Sequence, residues 1–242
     1  MVIVSYALAG LLFGSFATLA SHRLIHGGPL VRGRSRCPAC EAPLAARDLV
    51  PVLSWLWLRG RCRRCGAAIG LRYPLVELVT AVVFALAGWR FGLAPAGLLV
   101  AAAGLVLVIL AAADLATGLL PDTATLALVP LALAHRWLAD DALLLAVLGG
   151  ALGLGLGWGL RIGAGLVLKR ESLGLGDVKL LGAAGLWLPL AAWPAYLVAA
   201  GLAGSVLGGL WRLVTGEPEF PFGPALAVAL YSIILLPPGA LP

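Results

Sequence analysis

Gly104-Leu-Val-Leu-Val-Ile-Leu-Ala-Ala-Ala-Asp114 decides how the rest of the chain is read. Its first ten residues offer no polar side chain, and the run then ends on a carboxylate. A stretch of this kind is either a buried core helix or part of a membrane span. Composition chooses between the two. Of the 242 residues, 62% are hydrophobic and 12% charged, whereas a soluble domain is about 45–50% apolar and about 25% charged. Mean hydropathy is +1.03. So little polar surface cannot coat a globule in water, and the solvent for most of the chain must be lipid. The apolar runs do not alternate with a two-residue period, which excludes a β-barrel of the outer-membrane type. Helices then satisfy the backbone in hydrocarbon.

Outward from that stretch, apolar runs recur. They predict helices over 2–21, 75–92, 96–113, 123–138, 142–168, 178–190, 196–214 and 225–236, an all-α bundle of about eight transmembrane helices. Ten of the seventeen Lys and Arg residues lie between Arg23 and Arg72, in one polar segment. Positive charge of that kind marks the cytoplasmic side, and it fits anionic lipid better than nucleic acid. No basic residue precedes the first run, unlike a secretory signal peptide. Both termini are therefore expected outside and residues 22–73 inside. Lys169, Arg170, Lys179 and Arg212 fall on the same inner side, with Arg161 near it. Arg90 and Arg136 fall outside, where Trp89 and Trp137 favour the interface. The chain divides into a first helix (1–21), a basic loop (22–73) and a helical bundle (74–242). Small residues repeat every fourth position at Gly149, Gly153 and Gly157, at Gly155, Gly159 and Gly163, and at Ala200, Gly204 and Gly208. Such stripes serve close helix packing.

With this topology Asp114 and Asp177 both reach the inner face. A carboxylate inside a membrane is costly, roughly 2.5–3.5 kcal/mol at mid-bilayer on insertion scales. Two close carboxyls share a proton, so one can accept a proton from water while the other polarises a peptide carbonyl. Asp114 and Asp177 are the candidate catalytic pair of an aspartyl protease. Asp177 falls at a helix N-terminus and Asp114 near a C-terminus, which favours charge on Asp177. Gly174 and Gly176 leave room for a substrate strand, and Lys179 completes the candidate substrate-binding set. Asp122, before Thr-Ala-Thr, reads as a helix N-cap, and Asp140 and Asp141 as outer-loop charges.

All four cysteines occur as Cys37-Pro-Ala-Cys40 and Cys62-Arg-Arg-Cys65. In a reducing cytoplasm paired C-x-x-C knuckles point to a tetrahedral Zn²⁺ rather than disulfides. Four thiolates close the coordination sphere, so the zinc is structural and folds a loop too small for its own core. The stretch 50–57 is amphipathic and fits a membrane surface, with Arg59, Arg61, Arg63 and Arg64 toward the headgroups.

These stretches resemble, in order, the bacterial type IV prepilin peptidases, which are GxGD-type aspartyl proteases. The segments are GSFATLASHRL (14–24), CPAC (37–40), LVPVLSWLWLRGRCRRCG (49–66), RYPLVELVTA (72–81), ADLATGLLPD (113–122), GLGDVKLL (174–181) and FPFGPALA (220–227). The resemblance spans nearly the whole chain. It implies an inner-membrane enzyme that cuts the basic leader from type IV prepilins and type II secretion pseudopilins. It also implies N-methylation of the new terminus with S-adenosylmethionine. Asp114 and Asp177 match the family's catalytic positions. Thr18 stands where the family usually has Asn, in a segment linked to methylation. Glu77 is the candidate for the methyl-donor region, although beside Pro74 it also suits the start of a helix. Two other classes accommodate parts of the pattern. A transporter uses intramembrane carboxylates and broken helices, and a zinc-stabilised membrane scaffold uses the loop.

Overall fold

Alanine, leucine, valine and glycine dominate every apolar run, and in the computed structural model each run is helical. Residues 1–30, 35–168, 173–217 and 219–237 are described; Lys169 and Arg170 lie outside them. The helices are α1 (Val2–His26), α2 (Leu53–Trp57), α3 (Arg72–Phe91), α4 (Pro95–Thr117), α5 (Asp122–Leu138), α6 (Leu143–Leu168), α7 (Leu175–Trp187), α8 (Trp193–Thr215) and α9 (Gly223–Ile234). No named strand occurs among the described residues; two isolated β-bridges lie in the loop between α1 and α3. Proline opens α4 at its first position and Gly118 ends it at φ 68°, the pairing expected of helix ends.

Five helices, α1, α3, α4, α6 and the 190–215 segment containing α8, are long and apolar enough to cross a bilayer, and the chain is a multi-pass membrane protein. The remaining four are shorter, and α2 in the loop has only 5 residues. α5 has 17 residues, α7 has 13 and α9 has 12. At 1.5 Å per residue α7 and α9 reach about 18–20 Å, against a hydrocarbon core of about 30 Å. They are partial spans enclosed by the bundle. The share of the apolar window that is buried is 61% for α4 and 6% for α8, which puts α4 at the centre and α8 at the rim.

Glycine sets the close contacts. A Cβ on Gly14 would lie 2.6 Å from Glu77 Cα, which seats α1 directly on α3. One on Gly104 would meet Val83 Cγ1 at 2.3 Å and Tyr231 Cε2 at 2.8 Å, where α3, α4 and α9 converge. The 149–153–157 stripe packs on α7, with Gly149 2.3 Å (as Cβ) from Gly185 O and Gly153 2.2 Å from Leu181 O. The 155–159–163 stripe meets nothing within 4 Å, so its expected packing partner is missing among the described residues. Ala200 is buried, and Gly204 and Gly208 approach Phe222 and Phe220.

Several polar residues have different roles from those expected of them. Asp122 is the first residue of α5, behind Pro121, and makes no cap; its carboxylate instead pairs with Lys179 Nζ at 2.7 Å. Arg136 is buried. It donates to Leu186 O at 3.2 Å and Trp187 O at 3.1 Å, and it pairs with Asp141 at 2.9 Å. It thus satisfies the carbonyl end of α7 with a cation, which the helix dipole favours. Arg161 binds Leu173 O and ties α6 to the approach of α7. Trp89 and Trp137 are exposed, as interfacial indoles are.

Candidate functional site

Asp114 lies in the last turn of α4, where its own carbonyl accepts the Gly118 N–H at 2.7 Å. Its side chain is 4% exposed. Oδ2 accepts the Gly223 N–H at 2.8 Å. Gly223 opens α9, so the carboxylate at one helix's C-terminal end is held by another helix's N-terminus. A Cβ on Gly223 would lie 2.6 Å from Asp114 Oδ2, so only glycine fits without a shift.

Asp177 is the third residue of α7 and is 9% exposed. α7 starts three residues earlier than the apolar run indicates, because Gly174 and the Asp177 carboxylate begin it. Asp177 Oδ2 accepts the Gly174 N–H at 3.3 Å, a long and weak bond. The carboxyls of Asp114 and Asp177 lie within electrostatic reach of each other. Leu120 packs between their supports: a Cβ on Gly176 would meet Leu120 Cβ at 2.8 Å, and one on Gly223 would meet Leu120 Cδ2 at 3.0 Å. The space beside Gly176 is therefore filled by Leu120, whereas Gly174 meets only the Asp177 carboxylate closely. Helix polarity does not separate the two acids either. Each is now at an N-terminus, Asp177 on its own helix and Asp114 on α9, and both dipoles favour negative charge.

Two residues here escaped sequence reading by physical argument. Gly223 was visible only within FPFGPALA, and its signal is a glycine preceding a helix-opening proline. Tyr196 is fully buried, its hydroxyl has no partner among the described residues, and it lies within electrostatic reach of Asp177.

The four cysteine sulfurs lie within 4.8 Å of one another, and none is in a disulfide. Cys37 Sγ and Cys65 Sγ are 3.9 Å apart. Zn–S bonds of about 2.3 Å give a tetrahedral edge of about 3.8 Å, so the set fits zinc. The two knuckles have the same backbone form. Cys37 N–H donates to Ala42 O and Glu41 N–H to Cys37 O; Cys62 N–H donates to Ala67 O and Gly66 N–H to Cys62 O. The turn residue has φ 72° at Gly66 and φ 53° at Glu41, so the first knuckle puts a side chain where glycine is preferred. N–H groups of Cys65 and Arg64 aimed at Cys62 bring its thiol down to about 6. At Cys65 the Ala67 N–H works the same way, but the Cys40 sulfur, burial and the sulfurs of Cys62 and Cys37 outweigh it and push the thiol up to about 11. Arg63 has a partner within the loop. It pairs with Asp48 at 2.8 Å and holds that carboxyl below its usual range. In α2 the apolar side chains of Leu53, Leu56 and Trp57 are exposed.

Between this loop and the α1–α3 pair lies a cavity of about 540 Å³. Its wall includes Ser15, Thr18, His22, Trp55, Tyr73 and Glu77. Glu77 is buried, in the second turn of α3, past the first-turn positions where a helix dipole acts. Its Oε2 accepts the Val52 N–H at 2.7 Å. Val52 has φ 61° and ψ −50°, and Leu53 N–H closes onto Pro51 O at 2.6 Å. That is the rare γ-turn with positive φ, strained for a β-branched residue. Glu77 thus clamps a strained turn of the loop to the bundle. Among the described residues the Thr18 hydroxyl bonds only within its own helix, to Gly14 O at 3.3 Å.

The Bacterial Peptidase A24 N-terminal domain matches residues 8–91, and the type IV leader peptidase family matches residues 101–209. A prepilin leader peptidase/N-methyltransferase of Dickeya chrysanthemi is 39% identical, covering 94% of this chain and 90% of its own. Another so named, from Aeromonas salmonicida, is 42% identical over 84% of this chain and 71% of its own. The type 4 prepilin-like proteins leader peptide-processing enzyme of an enterotoxigenic Escherichia coli strain is 38% identical over 84% of this chain and 76% of its own. No solved structure matches the chain.

Proposed function

The chain belongs to the type IV leader peptidase family, and from that membership we propose that it removes the basic leader of prepilins and pseudopilins and methylates the new N-terminus. The observation that carries the first activity is the burial of Asp114 and Asp177 at meeting helix ends, with Asp114 held by the Gly223 N–H. Two carboxyls so placed hold one proton between them. The ionised carboxylate takes a proton from water, and the water oxygen attacks the scissile carbonyl carbon. The protonated carboxyl gives its proton to the carbonyl oxygen. The intermediate then collapses, the C–N bond breaks, and the leaving nitrogen receives a proton from the acid that the water charged. Gly174, open beside Asp177, takes the extended strand of the substrate.

The second activity fits the cavity over Glu77. S-adenosylmethionine supplies an electrophilic methyl group on sulfur, and 540 Å³ is ample for a molecule of its size. Glu77, Ser15 and Thr18 line that cavity and are the residues that would meet the donor or the amine. Zinc on Cys37, Cys40, Cys62 and Cys65 would shape the loop over it and take no part in bond making. In this reading the basic loop is cytoplasmic, both termini face the opposite side, and residues 1–73 together with Glu77 serve methyl transfer while the rest of the bundle serves cleavage.

A leader-bearing prepilin tests the reading directly. Wild type cuts it, Asp114→Asn and Asp177→Asn leave it uncut, and the product mass reports the methyl group. Normal processing by either variant would reject the aspartate pair and leave a transporter or scaffold as the better account.

A further inference from the structure

On the face of α7 turned away from Asp177 lies a second hollow, a groove of about 510 Å³ open to the surrounding lipid. α5 lines it with Asp122, Thr125, Leu126 and Val129. α6 contributes Val147, Gly150, Ala151 and Leu154. α7 forms the floor with Lys179, Gly182, Ala183 and Leu186. Each set follows i, i+3, i+4, i+7, so each helix presents one stripe along two turns, about 10 Å. The floor and one wall are small at the middle, at Gly182–Ala183 and Gly150–Ala151, and such residues let another backbone come close. α5 and α6 are consecutive yet scarcely touch each other, each packing instead on α7. Leu126 and Val147 are 65% and 55% exposed, leaving the trough without a cover.

We propose that this groove docks the apolar helix of the membrane-embedded precursor, one face against the α7 floor; the proposal rests on the leader-peptidase reading above. Three parallel stripes of helical repeat fit the ridge of a helix better than a flexible acyl chain. Position argues the same way. The inner end of the groove is Lys179, two residues beyond Asp177, so a helix seated there emerges at the N-terminus of α7. Its preceding residues must unwind at that point and pass Gly174 to reach the carboxyls. The same end carries the Asp122–Lys179 pair, 2.7 Å apart and with side chains 61% and 48% exposed. A cationic leader just before the helix would lie beside Asp122 and can share or exchange its ion pair.

The test uses the full-length Asp177→Asn protein in vesicles with an intact precursor, so that bound substrate is not consumed. A photoreactive side chain replaces Leu126 on α5 or, as the control, Leu202, equally exposed on α8. The expected result is a precursor adduct at Leu126 and none at Leu202, mapped to the precursor's apolar helix. Adducts with lipid alone, or equal adducts at both sites, overturn the proposal. In the otherwise wild-type enzyme, Ala151→Trp fills the groove. It should raise KM for the helix-bearing precursor roughly tenfold with kcat within about twofold. That KM penalty should vanish on a precursor that keeps the scissile bond but ends a few residues beyond it, within the first turn of its helix; an equal penalty on both substrates overturns the groove. A wild type that cuts neither precursor defeats the leader-peptidase reading instead, which the crosslink does not depend on.

Discussion

The loop region over α1 and α3 and the aspartate centre at α4, α7 and α9 are built in opposite ways. The backbone hydrogen bonds that shape the two knuckles each close within about ten residues in sequence, and the two halves are joined by four sulfurs. Without those sulfurs the loop would keep the Glu77 clamp and the Arg63–Asp48 pair but little apolar packing, since Leu53, Leu56 and Trp57 are exposed. The aspartate centre has no local logic of this kind. Asp114, Asp177 and Gly223 are brought together by helices whose approach distance is set by glycine. Its order is a property of the bundle core, which a membrane protein cannot lose piecemeal. With a metal on the sulfurs, one region would depend on a ligand and the other on close packing, and they should fail separately.

The largest effects should come from the acids themselves. Asp114→Asn or Asp177→Asn should lower leader cleavage by roughly 10²–10⁴-fold or more, with zinc content unchanged by metal analysis. Loss of zinc on replacing either aspartate would break the separation of the two regions. Next comes the metal. Purified protein should carry about one zinc per chain, and Cys62→Ser should remove it. Methyl transfer should fall with it while most leader cleavage survives; equal loss of both would make the regions one unit. Binding needs thiolates, so the metal should leave as the pH falls. The N–H groups of Cys65 and Arg64 bring the Cys62 thiol down and so favour the thiolate that binding needs, whereas the Cys65 thiol is pushed up by its neighbouring sulfurs and burial.

Gly223→Ala sharpens the comparison inside the aspartate centre. Its methyl would contact Asp114 Oδ2 at 2.6 Å, and a misplaced carboxyl should cost roughly 10²-fold in kcat without changing metal content. Arg72 bridges the regions, donating to Ser21 Oγ at 3.1 Å and to Ala112 O at 2.9 Å, two residues before Asp114. Arg72→Ala should reduce both activities by about tenfold, in line with a charged hydrogen bond of roughly 1.5 kcal/mol. A change in only one activity would show that the bridge is not shared. The smallest effect is at Glu41, whose φ of 53° matches Gly66 in the other knuckle. Glu41→Gly should stabilise the loop by about 1 kcal/mol, measured as slower zinc release to a chelator.

Much of this was legible in the chain because membrane chemistry leaves few choices. Long apolar runs become helices, and the repeated C-x-x-C spacing pointed to one four-sulfur cluster. Asp114 and Asp177 stood out because carboxylates are rare where the surroundings are apolar. The errors also share a cause. Asp122 looked like a cap because it precedes Thr-Ala-Thr, but a lysine 57 residues away claims it. Gly176 looked like open space and is filled by Leu120. In each case a distant partner overrode a sound local preference.

The sequence by itself determined that the chain is helical and lives in lipid, that four thiols act together, and that two acids sit where acids are costly. These follow from composition and short spacings, which act without reference to the rest of the molecule. Only the tertiary structure decided that α7 and α9 stop short of a full span, that the N-terminus of α9 holds Asp114, that Glu77 clamps a strained turn, and that a two-turn groove lies open beside α7. Those depend on which helices meet and how closely, and a glycine in the sequence does not say which neighbour will use the space it leaves.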